Sequence, residues 1–210
     1  MLTEKQFQQI LEDFNLSEEE KQNIIYTEKL VYDIIDFNDL EKTTKILNKK
    51  IREIKKDIYF PKKFLFFHGT GRRNRKSILE KGLLRTTKKT KKSIQSTPGY
   101  VYLSLNPESA KLFGSLAYAG EKLDVYAILV AAKDIKPDKD QIYNKNLYGN
   151  EKLSVNIVNS LLYGNGVCVK KDIELYNLRL CNHILGIEEN IDNIIKNKQI
   201  TKEDFEFNLK

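Results

Sequence analysis

Apolar positions in the first part of the chain recur at helical spacing: Leu30, Ile34, Ile35 and Leu40, then Ile46, Leu47, Ile51 and Ile54. Two helix starts are marked by capping boxes, Thr3-Glu4-Lys5-Gln6 and Ser17-Glu18-Glu19-Glu20. In each, a hydroxyl takes a backbone N–H while the amide or acid three residues on reaches back. Asn38-Asp39 separates two helices, and neither Gly nor Pro occurs before Pro61. The pattern predicts a helical segment over residues 1–60. At Pro61 the period changes. Phe64-Leu65-Phe66-Phe67 reads as a buried strand that ends in His68-Gly69-Thr70. Residues 73–81 read as a helix with Ile78 and Leu79 inward and Gly82 as its stop. Residues 85–99 read as a basic, hydroxyl-rich loop and 100–104 as a strand. Asn106-Pro107-Glu108 opens a helix that carries Ala110, Leu112 and Phe113 and stops near Gly114 or Gly120. Further strands are expected over 125–131, 166–170 and 175–180, an irregular stretch with short elements over 134–153, and a strand or helix end at Leu161-Leu162-Tyr163. A polar helical tail is expected from Glu188.

Composition narrows the class. Apolar residues make up 40% of 210, enough for a core, and no apolar run approaches the ~18 residues of a membrane span. The first residues lack the basic-then-apolar order of a signal peptide, so a soluble, cytoplasmic protein with no membrane partner is expected. Two cysteines, Cys168 and Cys181, outside any CxxC, and two histidines, His68 and His183, argue against a disulfide framework or a metal site. The net charge of +7 permits contact with nucleic acid or another polyanion without requiring it.

Two strand ends carry candidate chemistry. His68 follows four apolar residues, so it sits at the mouth of a core strand, and Gly69 removes a side chain so that a flat ligand can approach the backbone. In Gly99-Tyr100-Val101-Tyr102-Leu103-Ser104, alternation puts Tyr100, Tyr102 and Ser104 on one face and Val101 and Leu103 toward the core. Ser109 lies in the first turn of the next helix. A histidine, aromatic faces and a hydroxyl at one cleft suit a planar aromatic amide on a ribose. Plainer readings stand beside these: His68 as a satisfied core histidine, the tyrosines as cross-strand packing, Ser109 as helix-start chemistry. The lysines Lys88, Lys89, Lys91 and Lys92, and the arginines Arg72, Arg73 and Arg75, also read as solvated surface.

The residues from His68-Gly69-Thr70 through Asn74 to Ile78-Leu79-Glu80-Lys81-Gly82-Leu83 resemble the first motif of poly(ADP-ribose) polymerase-type transferases. Tyr102-Leu103-Ser104 with Pro107-Glu108-Ser109-Ala110 resembles their second motif. Tyr100 to Ser104 and Asn165-Gly166-Val167-Cys168-Val169 are also similar to strands of the tRNA 2′-phosphotransferases. Both families belong to the ADP-ribosyltransferase superfamily. The resemblance implies an α+β fold, an ADP-ribosyltransferase-like split β-sandwich over residues 61–187, flanked by the helical segment 1–60 and a helical tail over 188–210. It implies NAD as co-substrate and no metal. His68, Gly69, Thr70, Arg85, Tyr100, Tyr102, Ser104 and Ser109 would line its site, with His68, Tyr102 and Asn165 at the catalytic positions. The loop over 85–99 would lie over NAD, its lysines toward the pyrophosphate.

One departure bears on activity. Where the polymerases carry a Glu at the start of a late strand, this chain has Asn165-Gly166-Val167, and the nearest acids are Asp172 and Glu174. The resemblance therefore implies transfer of a single ADP-ribose to a protein or nucleic-acid acceptor. RNA 2′-phosphotransfer and a non-catalytic NAD- or ADP-ribose-binding module are the alternatives. Residues 1–57 are a candidate partner-binding surface.

Overall fold

The structure is a computed structural model that describes residues 1–57, 59, 61–85, 96–148 and 152–187. Both capping boxes form. Thr3 Oγ1 accepts the Gln6 N–H at 3.2 Å and Gln6 Oε1 accepts the Thr3 N–H at 3.0 Å, opening α1 (Glu4–Asp13). Ser17 and Glu20 repeat the exchange at 3.2 and 2.9 Å to open α2 (Glu18–Gln22). The expectation of helices alone in this segment needs one correction. Ile24–Tyr26 forms a strand, β1, before α3 (Thr27–Tyr32) and α4 (Leu40–Lys56). Three residues of β-branched and aromatic character are too few to show a period, and β1 exists because it pairs in parallel with β2 (Lys63–Gly71).

The remaining elements follow in order: α5 (Arg75–Lys81), β3 (Val101–Ser104), α6 (Pro107–Ala117), β4 (Leu123–Ala131), β5 (Ile135–Pro137), α7 (Lys139–Tyr148), α8 (Ile157–Gly164), β6 (Gly166–Val169) and β7 (Leu178–Leu180). The strands make one seven-stranded sheet in the order β5-β6-β3-β2-β4-β7, antiparallel throughout this path, with β1 also on β2. The short elements expected within 134–153 are β5 and α7. The helix opened by Asn106 runs past Gly114 to Ala117. Leu161-Leu162-Tyr163 is helical. Lys88 and its neighbours in the basic loop, and the tail from Glu188, lie outside the described residues. Among the described residues no helix is long and apolar enough to cross a membrane.

β2 is covered on both faces, which is why it reads as an unbroken apolar run. Phe64 and Phe66 share a cluster with Leu47 and Ile51 of α4. Leu65 and Phe67 share the opposite one with Ile10 of α1 and Ala110 of α6. The N-terminal helices thus supply core residues to both sides of the sheet.

At the far end of β2 the chain turns into α5 around a buried ion pair. Arg75, 3% exposed, places Nε 2.7 Å and Nη2 2.5 Å from the carboxylate of fully buried Asp124. Arg72 Nε and Asn182 Nδ2 each reach the same carboxylate at 3.2 Å. Arg75 is therefore not the surface residue its basic neighbourhood suggested. It locks α5, β4 and the segment after β7 together. Removing one member of such a pair strands the other charge, so Asp124→Asn is expected to cost about 3–5 kcal/mol in urea unfolding. An unchanged midpoint would show that the pair does not hold this corner.

Candidate functional site

The site is built by a mismatch in pairing. β4 runs beside β2 from Lys63 to Gly71, whereas β3 pairs with β2 only where Phe67 meets Ser104. Val125, opposite Gly69, donates its N–H to Asn182 Oδ1 at 2.8 Å, and its carbonyl accepts from Cys181 N at 3.0 Å. Both partners lie away from β2, so the Gly69–Val125 pair carries no backbone hydrogen bond of its own. The N–H and C=O of Gly69 consequently point the other way, into the gap that β3 leaves.

His68 closes the top of that gap. Its Nδ1 lies 2.9 Å from the Tyr102 carbonyl oxygen. A carbonyl can only accept, so Nδ1 carries the proton and Nε2 presents a lone pair. Burial holds the imidazole below its ordinary pKa and so favours the neutral ring, while the bond to the Tyr102 carbonyl opposes that shift. His68 does not end its strand as expected: β2 continues to Gly71, and His68 pairs with Tyr126 inside it.

The gap opens into a cleft of about 330 Å³. Of the residues expected at the site, His68, Gly69, Thr70, Tyr100, Tyr102 and Ser104 all line it. The rings of Tyr100 and Tyr102 lie 6.5 Å apart, inclined at 55°. Thr70 Oγ1 accepts from Asn74 Nδ2 at 2.9 Å, and the same amide reaches Tyr118 Oη at 3.0 Å. Three expected residues do not line it. Ser109 sits in the first turn of α6, its N–H on the Asn106 cap at 2.8 Å. Arg85 turns to Asp172, with Nε 3.1 Å from Oδ1. Asn165 is exposed and takes a left-handed conformation (φ 52°) to end α8, while its carbonyl accepts from Leu105 N at 2.7 Å. Asp172 and Glu174 are also exposed and outside the cleft.

Gly69 also serves helix packing. A Cβ there would stand 1.9 Å from the Ala110 carbonyl oxygen, and one on Gly114 would stand 3.1 Å from the Gly69 carbonyl carbon. The missing side chain makes room for α6. Only the backbone groups of Gly69 face the cleft.

The acids of the cleft come from an unexpected place. Asp138, Asp140 and Gln141, at the junction of β5 and α7, line the wall beside Tyr102. Asp140 accepts from Tyr102 Oη at 2.5 Å and from Thr97 N at 2.7 Å. Burial raises the Tyr102 phenol, and its bond to Asp140 raises it further. Asp138 is 6% exposed and caps α7, accepting the Gln141 N–H at 3.0 Å. Burial raises its carboxyl to about 6, Asp140 adding to the effect and the backbone bond from Gln141 opposing it. A sequence signal existed: Asp138-x-x-Gln141 after Pro137 has the capping-box form. Among the described lining residues there is no Lys or Arg.

Fold and site together define an α+β protein whose seven-stranded sheet parts between β2 and β3 around a buried histidine and an acid-bearing wall. No protein-family model matches the chain, no curated protein matches it, and no solved structure matches it.

Two substitutions test this geometry. Gly69→Ala drives a methyl into the α6 backbone and is expected to lower stability by about 1–3 kcal/mol or more in thermal unfolding. A wild-type melting temperature would mean α6 does not rest on β2. For Asp138, the folded pKa of about 6 lies above its reference of 3.8. The group's contribution is complete below pH 3.8 and lost as pH rises through 6. Asp138→Asn keeps a capping oxygen and removes the charge. The variant should gain on wild type by roughly 2 kcal/mol between about pH 4.5 and 8, by linkage. A gap independent of pH would contradict a buried, titrating carboxyl.

Proposed function

We propose that the chain is an NAD-dependent mono-ADP-ribosyltransferase with an ADP-ribosyltransferase-like split sheet. The observation that carries the reading is the parting of β2 from β3 at the His68–Tyr102 bond, which turns an adjacent N–H and C=O of Gly69 into the cleft. A primary carboxamide needs one donor and one acceptor side by side, and Gly69 offers both from a rigid strand. The tyrosine rings beside it supply faces for a pyridine ring. The Nε2 lone pair of His68 accepts from a ribose hydroxyl.

The reaction cleaves the bond between the nicotinamide nitrogen and the anomeric carbon, the electron pair leaving with nicotinamide, and the acceptor's nucleophile takes its place. The chain's share is electrostatic and positional. Carboxylates in a poorly solvated wall stabilise positive charge developing at the anomeric carbon. Asp138 and Asp140 supply that charge here, in place of the acid missing at Asn165. Asp140 also holds the Tyr102 hydroxyl.

RNA 2′-phosphotransfer is the second reading. The pairing of β6 with β3 along Val101–Ser104 favours it, because it joins the two segments that resemble that family. Labelled NAD⁺, offered alone and with 2′-phosphorylated RNA, separates the two: transfer of label marks the first, loss of phosphate the second. His68→Ala is expected to reduce turnover at least about 100-fold, in keeping with loss of a positioned polar group, while the melting curve stays cooperative. A wild-type rate in that variant would remove His68 from the chemistry.

A further inference from the structure

Helix α4 turns Thr43, Leu47 and Ile51 into the core and leaves Lys45, Lys49, Arg52 and Lys56 exposed. These four stand at i, i+4, i+7 and i+11, which is one face of a helix, and the row is about 17 Å long at 1.5 Å per residue. With Asn48 and Glu53 they border a shallow groove. Across its length α4 carries seven cationic residues against two acidic ones, Glu41 and Glu53, a net of +5 in a chain whose net is +7.

Local pairing does not cancel this charge. Lys45 meets Glu41 at 2.6 Å, but among the described residues Lys49, Arg52 and Lys56 carry no ion pair. The field continues off the helix. Lys136 stands near Lys55, which donates to the Ile135 carbonyl at 3.2 Å; burial and then the Lys136 ammonium lower the Lys55 pKa, with Asp134 opposing. Helix α4 packs on α8, whose last residue, Gly164, lines the cleft.

We infer that the exposed face of α4, from Lys45 to Lys56, is a docking surface for the phosphate backbone of a nucleic acid. A cationic row without aromatic residues contacts phosphates and reads no bases. Asn48 within the row adds an amide suited to phosphate or sugar oxygens. A membrane surface fits less well. An interfacial helix buries an apolar face in lipid, and the apolar face of α4 is already in the core, leaving Ile46 as its one exposed large hydrophobic. The binding itself is independent of the transferase reading; only the role of the bound strand as acceptor rests on it.

The test is fluorescence anisotropy on the full chain with labelled 20-nucleotide single-stranded RNA, single-stranded DNA and duplex DNA from about 50 to 200 mM salt. Binding should weaken linearly in log–log form, with a slope near −3 for roughly four single-strand phosphates. The combined variant Lys45→Gln, Lys49→Gln, Arg52→Gln, Lys56→Gln should bind at least about tenfold more weakly, with a shallower slope. Its melting curve should not change, since all four side chains are exposed. A control with the same loss of charge elsewhere, Lys5→Gln, Lys76→Gln, Lys81→Gln, Lys111→Gln, should keep most of the affinity. Equal weakening in both variants, no binding, or equal binding to phosphatidylserine vesicles or polyglutamate overturns the proposal. NAD⁺ turnover in the same preparations separates the two readings. Turnover without nucleic-acid binding sinks this surface alone, and binding without turnover sinks the transferase reading alone.

Discussion

The hydrogen bond from His68 Nδ1 to the Tyr102 carbonyl stands where β2 and β3 would otherwise continue their ladder. A side chain has taken a backbone acceptor, and two consequences follow. The imidazole is fixed in one tautomer with its lone pair toward the opening. The next backbone groups of β2, those of Gly69, have no strand opposite them. A cleft with polar groups on a rigid floor results from losing one backbone contact while β4 still supports the strand on its other side.

That floor stays in place because its surroundings allow little movement. α6 lies so close to β2 that a side chain at 69 would collide with the Ala110 carbonyl, and one at 114 would be tightly packed against Gly69. Beyond the cleft, the Arg75–Asp124 pair ties the turn after β2 to β4. Charge is divided as well. The described cleft lining carries carboxylates and no cation, while α4 carries most of the net positive charge. The proposed functions use both parts: an anionic wall where positive charge develops on a sugar, and a cationic helix for a phosphate backbone.

Much was legible from local pattern. The capping boxes at Thr3 and Ser17, the Asn106 cap, the apolar run of β2 and the alternation of β3 each depend on residues within a few positions of one another, and each formed as read. Six of the nine residues expected at the site border one cleft, and for Tyr100, Tyr102 and Ser104 the reason is strand periodicity, which orients side chains before any partner is known. The other three lie outside the cleft. Ser109 and Asn165 were taken from motif resemblance and Arg85 from its place near the cleft, and neither basis says whether a cap, an ion pair or a left-handed helix end already occupies a residue.

The sequence by itself therefore determined the capped helices α1, α2 and α6, the buried strand β2 and which tyrosines share a face, since these follow from spacing, caps and burial along the chain. Tertiary structure alone decided the rest. It made a strand of Ile24–Tyr26 by giving it β2 as a partner, gave Gly69 to helix packing, and buried Arg75 against Asp124. It also brought Asp138 and Asp140 to the wall beside Tyr102 from more than thirty residues away. Such neighbours are set by which strands pair and which are left apart, and no local window of the chain contains that information.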